Sequence, residues 1–172
     1  MHHRSQRFAF TRLIPALCAV SLIVTACGFH LRGVRQLSPE ISVIYLSSAN
    51  SNSLLVRYLR QQLQASGAQV TKTRDEALSV LEILVDSVNR RVLSVGSTGK
   101  VREYELHYVV TYRVLGADGK KILPRRELAI SRVILFDETD VLGKTNEAGL
   151  VRREMQQDLA RMIMRQLELA SA

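Results

Sequence analysis

Residues 103–114 read EYELHYVVTYRV, and this stretch decides the fold. Each even-numbered position from Tyr104 to Val114 holds an aromatic or aliphatic residue, whereas most odd-numbered positions hold a polar or charged one. Successive side chains of a β-strand point to opposite faces of the sheet, so this alternation predicts a long strand. It also predicts a sheet with one covered apolar face and one polar face.

Further strands are predicted on either side of this stretch. Before it, Leu78 to Val95 is mostly apolar and β-branched, and Gly96 to Lys100 is interpreted as a hairpin tip between the two strands. After it, Gly116 to Gly119 is a turn. Lys121 to Phe136 then returns as another strand, antiparallel to its predecessor, in which Pro124 indicates an edge or a bulge.

One more strand and two helices complete the predicted domain. Ile41 to Leu46 is rich in β-branched residues and is predicted to be the first strand. Leu54 to Ala65 has apolar residues at helical spacing, and Gly67 is placed to end that helix. A polar loop, Asp137 to Asn146, precedes the last helix. The stripe of that helix, apolar except for Gln166, consists of Val151, Met155, Leu159, Met162, Ile163, Gln166 and Leu167.

The predicted order of elements is β-α-β-β-β-α. We expect an α+β domain in which two helices pack on one face of a four-stranded, mostly antiparallel sheet. The first strand connects to the second through a helix, so a right-handed crossover between parallel strands is available there.

The first 26 residues have the layout of a secretory signal. Arg4, Arg7 and Arg12 precede an apolar run from Leu13 to Thr25, which is shorter than the about 20 residues that a membrane-spanning helix needs. Residues 24–27, VTAC, resemble the lipobox of bacterial lipoproteins. That resemblance implies that Cys27 becomes the first mature residue and carries an S-diacylglycerol and an N-acyl group. The alternatives are an uncleaved membrane anchor and an ordinary secreted protein.

The predicted cleavage before Cys27 divides the chain into three parts. Residues 1–26 are interpreted as the signal peptide, residues 27–39 as the lipidated cysteine and a tether, and residues 40–172 as a single domain. Removing the leader leaves 146 residues, enough for one domain with a core, and lowers the formal charge from +8 to +5. Cys18 leaves with the leader, so neither a disulfide framework nor a cysteine metal site is expected. In bacterial lipoproteins an aspartate after the acylated cysteine commonly favours inner-membrane retention. Gly28 stands there instead, which favours the periplasmic side of the outer membrane.

Catalytic machinery is not expected. His30 and His107, the histidines of the mature chain, have no metal-ligand spacing with carboxylates, so no metal and no cofactor besides the covalent lipid is predicted. The tip Gly96 to Lys100 departs from a phosphate-binding loop in its residues and in joining two strands. Glu103 and Glu105 share one strand face and could suggest an acid–base pair, but a solvated strand face accounts for such a pair more simply.

The excess positive charge points to anionic lipids. It is concentrated partly in four doublets, most of which are expected to be solvated surface: Arg90-Arg91, Lys120-Lys121, Arg125-Arg126 and Arg152-Arg153. A lipidated envelope protein rarely meets nucleic acid, so nucleic acid is not expected as a partner. The available polyanions are phospholipid headgroups and lipopolysaccharide, whose lipid A phosphates suit arginine and lysine donors.

Predicted topology brings some of this charge together. The hairpin tip and the loop after the last strand are expected at the same end of the sheet. Lys100, Arg102 and Lys144 then converge, with Arg90 and Arg91 further down. Neighbouring cations of this kind can together hold a headgroup that carries two phosphates.

The whole chain resembles the LPS-assembly lipoproteins (LptE), which partner the outer-membrane barrel LptD. The sequences that carry the resemblance are CGFHLR at 27–32, Glu103-Tyr104 after the glycine-containing tip, Lys144-x-Asn146-Glu147, and Arg153-Glu154-Met155. The resemblance implies the same two-helix, four-stranded fold, seated as a plug in the LptD barrel. It also implies a protein that assists barrel assembly, binds lipopolysaccharide and supports its insertion at the cell surface.

The resemblance further implies a lipopolysaccharide-binding site. Of two basic positions tied to this binding in the family, one falls on Lys144 and the other on Ser97, so Lys100 or Arg102 is expected to supply the second charge. An alternative function is that of an auxiliary lipoprotein of a lipid-transport ABC system, or another envelope lipoprotein. An anchored hydrolase would need a nucleophile with its base, which the histidines do not supply.

Overall fold

The computed structural model describes residues 37–135 and 141–170, and the side chains of these residues except 141–145. A short 3-10 turn at Pro39–Ile41 opens the described chain. The strands are β1 (Val43–Ser48), β2 (Gln69–Thr71), β3 (Ser79–Val95), β4 (Val101–Gly116) and β5 (Lys121–Leu135). The helices are α1 (Leu54–Ala65), which follows β1, and α2 (Val141–Ala170), which follows β5.

The sheet has five strands rather than the four that were predicted. Their order is β2-β1-β3-β4-β5. β1 runs parallel to both β2 and β3, as expected for a crossover through α1, whereas β3–β4 and β4–β5 are antiparallel. The sheet is therefore mixed. The missed strand, β2, has three residues, which is too short a stretch for an alternating pattern to be detected.

The α1 helix has the predicted bounds, and its ends explain why. The Ser53 hydroxyl accepts a hydrogen bond of 3.2 Å from the Val56 amide, which satisfies one of the free donors of the first turn. Gly67 adopts a φ of 85°, a left-handed conformation that stops the helix at little steric cost.

The α2 helix begins earlier than predicted. It starts at Val141, so the part of the predicted Asp137 to Asn146 loop from residue 141 onward is helical. Gly143, Thr145 and Asn146 are weak helix formers, and a prediction from local preference assigns them to a loop. Adding residues to an existing helix is easier than starting one, so the packed part of α2 extends into this stretch. Phe136 and residues 137–140 of the predicted loop lie outside the described residues.

Both helices cover the face of the sheet that the β4 alternation predicts to be apolar. The even positions Leu106 to Val114 are at most 6% exposed, and the helices meet them with residues that include Leu59 and Leu159, both fully buried. Polar contacts fix the arrangement as well. Gln157 Nε2 of α2 donates to the Tyr58 hydroxyl of α1 at 2.9 Å, and Arg132 of β5 pairs with Asp158 of α2 at 3.1 Å.

Candidate functional site

Charged side chains on the polar face of the sheet form pairs between neighbouring strands. Ser94 donates to a Glu103 oxygen at 2.6 Å, Arg91 forms an ion pair with Glu105, and Arg113 contacts Glu82 at 2.6 Å. Glu103 and Glu105, which were considered as an acid–base pair, are therefore each held by a side chain of the neighbouring strand. This ladder of pairs stabilises strand register and does not resemble paired catalytic carboxylates.

His107 lies on the same polar face and contacts a hydroxyl rather than a carboxylate. Its Nδ1 is 2.9 Å from the Ser131 hydroxyl oxygen on β5. Within residues 37–135 and 141–170, no group of three or more histidine, cysteine, aspartate and glutamate side chains is placed to hold a metal ion. The same part of the chain contains no helix that is both long and apolar enough to cross a membrane.

Two of the predicted lipopolysaccharide-binding residues lie together at the β3–β4 hairpin. The tip is closed by the Gly96 amide, which donates to the Lys100 carbonyl at 2.7 Å. The aliphatic stem of Arg102 lies against Gly96, where a Cβ would stand 3.2 Å from the Arg102 Cδ. Gly96 thus allows the arginine stem to fold back over the turn. Leu135, the last residue of β5, is paired with Glu103, so β5 ends beside Arg102 as predicted.

The third predicted residue, Lys144, lies in the first turn of α2 rather than in a loop. Its side chain is not among those described. Ala148, one turn later, lines a cleft together with Arg90, and the helical rise of about 1.5 Å per residue places the Lys144 backbone roughly 6 Å further along the axis. The grouping of Lys144 with Lys100 and Arg102 stays a prediction. Cys27, the predicted lipidation site, lies outside the described residues.

The cleft between α2 and the sheet is a basic feature that the sequence analysis did not single out. Its volume is about 330 Å³, and its lining comprises Val88, Asn89, Arg90, Leu106, Ala148, Gly149 and Arg152. Arg90 and Arg152 come from two of the doublets noted in the sequence. The available signal was the strand period, which places Arg90 and Arg91 on opposite faces of β3.

A buried polar cluster lies on the same face of the sheet. The Tyr108 hydroxyl donates to Asp86 on β3 and accepts from Gln156 Nε2 on α2 at 3.1 Å. Burial, followed by the hydrogen bond to Asp86, raises the pKa of Tyr108 well above its ordinary value. Burial also raises the pKa of Tyr112 to about 12. Both phenols therefore remain neutral near neutral pH and act as structural groups of the helix–sheet interface.

The fold defines a class of protein: a small α+β domain with two helices on one face of a mixed sheet. The solved structure of rare lipoprotein B from Shewanella oneidensis has this fold, with 30% sequence identity and a TM-score of 0.64. The structural match covers 73% of this chain and 92% of the Shewanella chain. A lipoprotein B structure from Nitrosomonas europaea gives 26% identity and a TM-score of 0.69 over 84% and 91% of the two chains.

The chain belongs to the LPS-assembly lipoprotein family, LptE. The family model described as LptE, lipopolysaccharide-assembly, matches residues 41–167. The LPS-assembly lipoprotein LptE of Photorhabdus laumondii is 31% identical over 157 residues, which cover 91% of this chain and 85% of the relative. The LptE of Yersinia enterocolitica is 32% identical over 163 residues, or 94% and 78% of the two chains. The predicted family is thus confirmed, and with it a role in lipopolysaccharide assembly.

Proposed function

We propose that this chain is a non-enzymatic outer-membrane lipoprotein that plugs the LptD barrel and assists its assembly. In this role it binds lipopolysaccharide and supports its insertion at the cell surface. Membership of the LPS-assembly lipoprotein family is the observation that carries the proposal. The anchor is the acylated Cys27, and Gly28 directs the protein to the outer membrane, where it faces the periplasm.

The chemistry of the sheet is compatible with a position inside a barrel. The lumen of an outer-membrane barrel is polar and wet. The face of the sheet opposite the helices carries paired charges, such as Arg91 with Glu105 and Arg113 with Glu82, whose ionic partners are already within the chain. Such a face can lie against a polar wall without leaving a charge desolvated and unpaired, which would be costly.

Co-purification is the experiment that tests the proposed partner. Tagged full-length protein, extracted from outer membranes in mild detergent, is expected to bring down one large barrel in a one-to-one ratio. Quantitative mass spectrometry of the eluate measures that ratio. Recovery of an inner-membrane ABC transporter instead would support the alternative function of a transport auxiliary and would contradict the plug.

The basic end of the sheet gives a prediction for lipopolysaccharide binding. Lys144→Ala should weaken binding only several-fold, because an exposed ion pair contributes roughly 0.2–1 kcal/mol. Lys144→Asp combined with Lys100→Asp adds repulsion to the loss and should weaken binding far more. Both effects should shrink as salt is raised, since exposed charges are screened. Binding of labelled lipopolysaccharide at low and high salt measures the change.

A charge-matched control lies at the other end of the sheet. Lys121→Asp with Arg125→Asp changes the net charge equally, and both residues are exposed on β5. This control should bind lipopolysaccharide like the wild type. Folding should be little affected in the test variant, because an aspartate in the first turn of α2 interacts favourably with the helix dipole. Equal binding by both double variants in low salt would show that Lys144 and Lys100 are merely solvated charges.

A further inference from the structure

Two arginine doublets, distant in the sequence, each contribute one residue to the same cleft. On β3, Arg91 pairs with Glu105 across the polar face, whereas Arg90 lies opposite Leu106 on the helix-covered face. On α2, Arg152 lines the cleft with Arg90, whereas Arg153 does not. One arginine of each doublet therefore lines the cleft and the other does not. This selection distinguishes the cleft from a basic surface on which all four arginines are equally solvated.

The lining of the cleft combines two arginines with apolar residues. Val88, Leu106 and Ala148 contribute its aliphatic surface, which we call the apolar floor. The volume of about 330 Å³ is at the lower end of the range of about 300–1,000 Å³ that small-ligand sites occupy. Val92, two residues beyond Arg90 on the same strand, is 50% exposed and extends apolar surface from the cleft toward the hairpin tip.

The two arginines of the cleft differ from the paired arginines of the sheet. Within the described ranges, 37–135 and 141–170, no carboxylate forms an ion pair with Arg90 or Arg152, although Arg91, Arg113 and Arg132 are all paired. Arg90 instead lies over the Tyr104 ring, with its guanidinium carbon 4.5 Å from the ring centroid. Such a cation–π contact orients the guanidinium without neutralising it, so its charge remains available to an anion.

We propose that this cleft binds a phosphate group carried by an amphiphile. Guanidinium groups form paired hydrogen bonds with phosphate oxygens, and two of them match the charge of a phosphate monoester. The apolar floor and Val92 accommodate the lipid part that adjoins the phosphate. The phosphates of lipid A have this chemistry, so the inference rests on the proposed lipopolysaccharide binding for the identity of the ligand. The location of the site rests on the cleft alone.

The doublets supply their own controls for the test. Full-length protein in a neutral detergent is compared as wild type, as Arg90→Gln with Arg152→Gln, and as Arg91→Gln with Arg153→Gln. Each double variant loses two positive charges. The two positions changed in one variant are the sequence neighbours of those changed in the other. Circular dichroism checks that each variant is folded. Binding is measured with four probes: labelled lipid A, lipid A with its phosphates removed, phosphatidylglycerol and inorganic phosphate.

We expect the Arg90/Arg152 variant to bind lipid A about 20-fold more weakly than wild type, and the Arg91/Arg153 variant within about 2-fold of it. Dephosphorylated lipid A should bind the wild type as weakly as intact lipid A binds the Arg90/Arg152 variant. Equal losses in both double variants would mean that only overall charge matters and would overturn the site. Inorganic phosphate binding as tightly as lipid A would overturn the role of the apolar floor.

The remaining outcomes separate this inference from the proposed function. Lipid A binding that survives in the Arg90/Arg152 variant but is lost in the Lys144/Lys100 variant overturns the cleft and leaves the proposed function intact. Phosphatidylglycerol binding through Arg90 and Arg152 without lipid A binding supports the cleft but contradicts lipopolysaccharide recognition. If none of the phosphorylated probes binds the wild type, the cleft is not a phosphate site, whatever barrel the protein co-purifies with.

Discussion

Leu159→Ala is expected to lower the free energy of unfolding by about 3–4 kcal/mol. Leu159 is fully buried in the core formed by α2, α1 and the covered face of the sheet. Removing its side chain loses the transfer free energy of the deleted carbons and leaves a cavity that close-packed neighbours fill only in part. Urea denaturation of a soluble form starting at Gly33, followed by circular dichroism, measures the loss.

The matched control is another leucine of the same helix. Leu150→Ala makes the same chemical change, but Leu150 is 54% exposed, so the free energy of unfolding should change by no more than about 0.5 kcal/mol. Similar losses for both variants would contradict the burial of the α2 stripe against the sheet. A soluble form that lacks secondary structure altogether would contradict the prediction that the domain folds without its anchor.

Cys27→Ala is expected to abolish the lipid anchor entirely. Each buried methylene contributes about 0.8 kcal/mol to membrane affinity, so the three acyl chains implied by the lipobox hold a protein on a membrane almost permanently. Without the thiol there is no acceptor for the diacylglycerol, and the precursor should stay uncleaved or be mislocalised. Mass spectrometry of the mature N-terminus and membrane fractionation measure the two effects.

Cys18→Ala is the natural control for this experiment, because Cys18 lies within the predicted leader. It should leave both the acylation and the membrane location unchanged. An unmodified Cys27 in the wild type, or cleavage at another position, would show that residues 24–27 do not function as a lipobox.

Much of the sheet could be predicted because the alternation within strands and the glycines of the turns are features of short, contiguous stretches of sequence. The even positions of β4 from Leu106 to Val114 are buried as the alternation indicates, and the hairpin turns fall where glycines were found. β2 and the first turn of α2 were missed for the opposite reason. β2 exists because it pairs with β1, as in Ile44 opposite Val70, and its three residues carry little signal of their own.

The candidate site also has one part that the sequence predicted and one part that depends on tertiary packing. The hairpin end with Lys100 and Arg102 followed from strand order, and the end of β5 does lie beside it. The cleft did not follow, because Arg152 is not part of the predicted apolar stripe of α2 and Arg90 is adjacent to Arg91 in one doublet. Lining of the cleft by both Arg90 and Arg152 depends on how α2 packs on the sheet, which no contiguous stretch of sequence specifies.

The sequence by itself determined the direction of side chains along β4, the extent of α1 and the family, since strand period, helix capping and motif residues are properties of contiguous stretches. Only the tertiary structure decided which charges are neutralised and which remain available. Arg91 and Arg90 are adjacent, yet one is paired with Glu105 and the other faces a cleft. The physical reason is that an ion pair requires a partner within a few ångströms, and packing of distant segments supplies or withholds that partner.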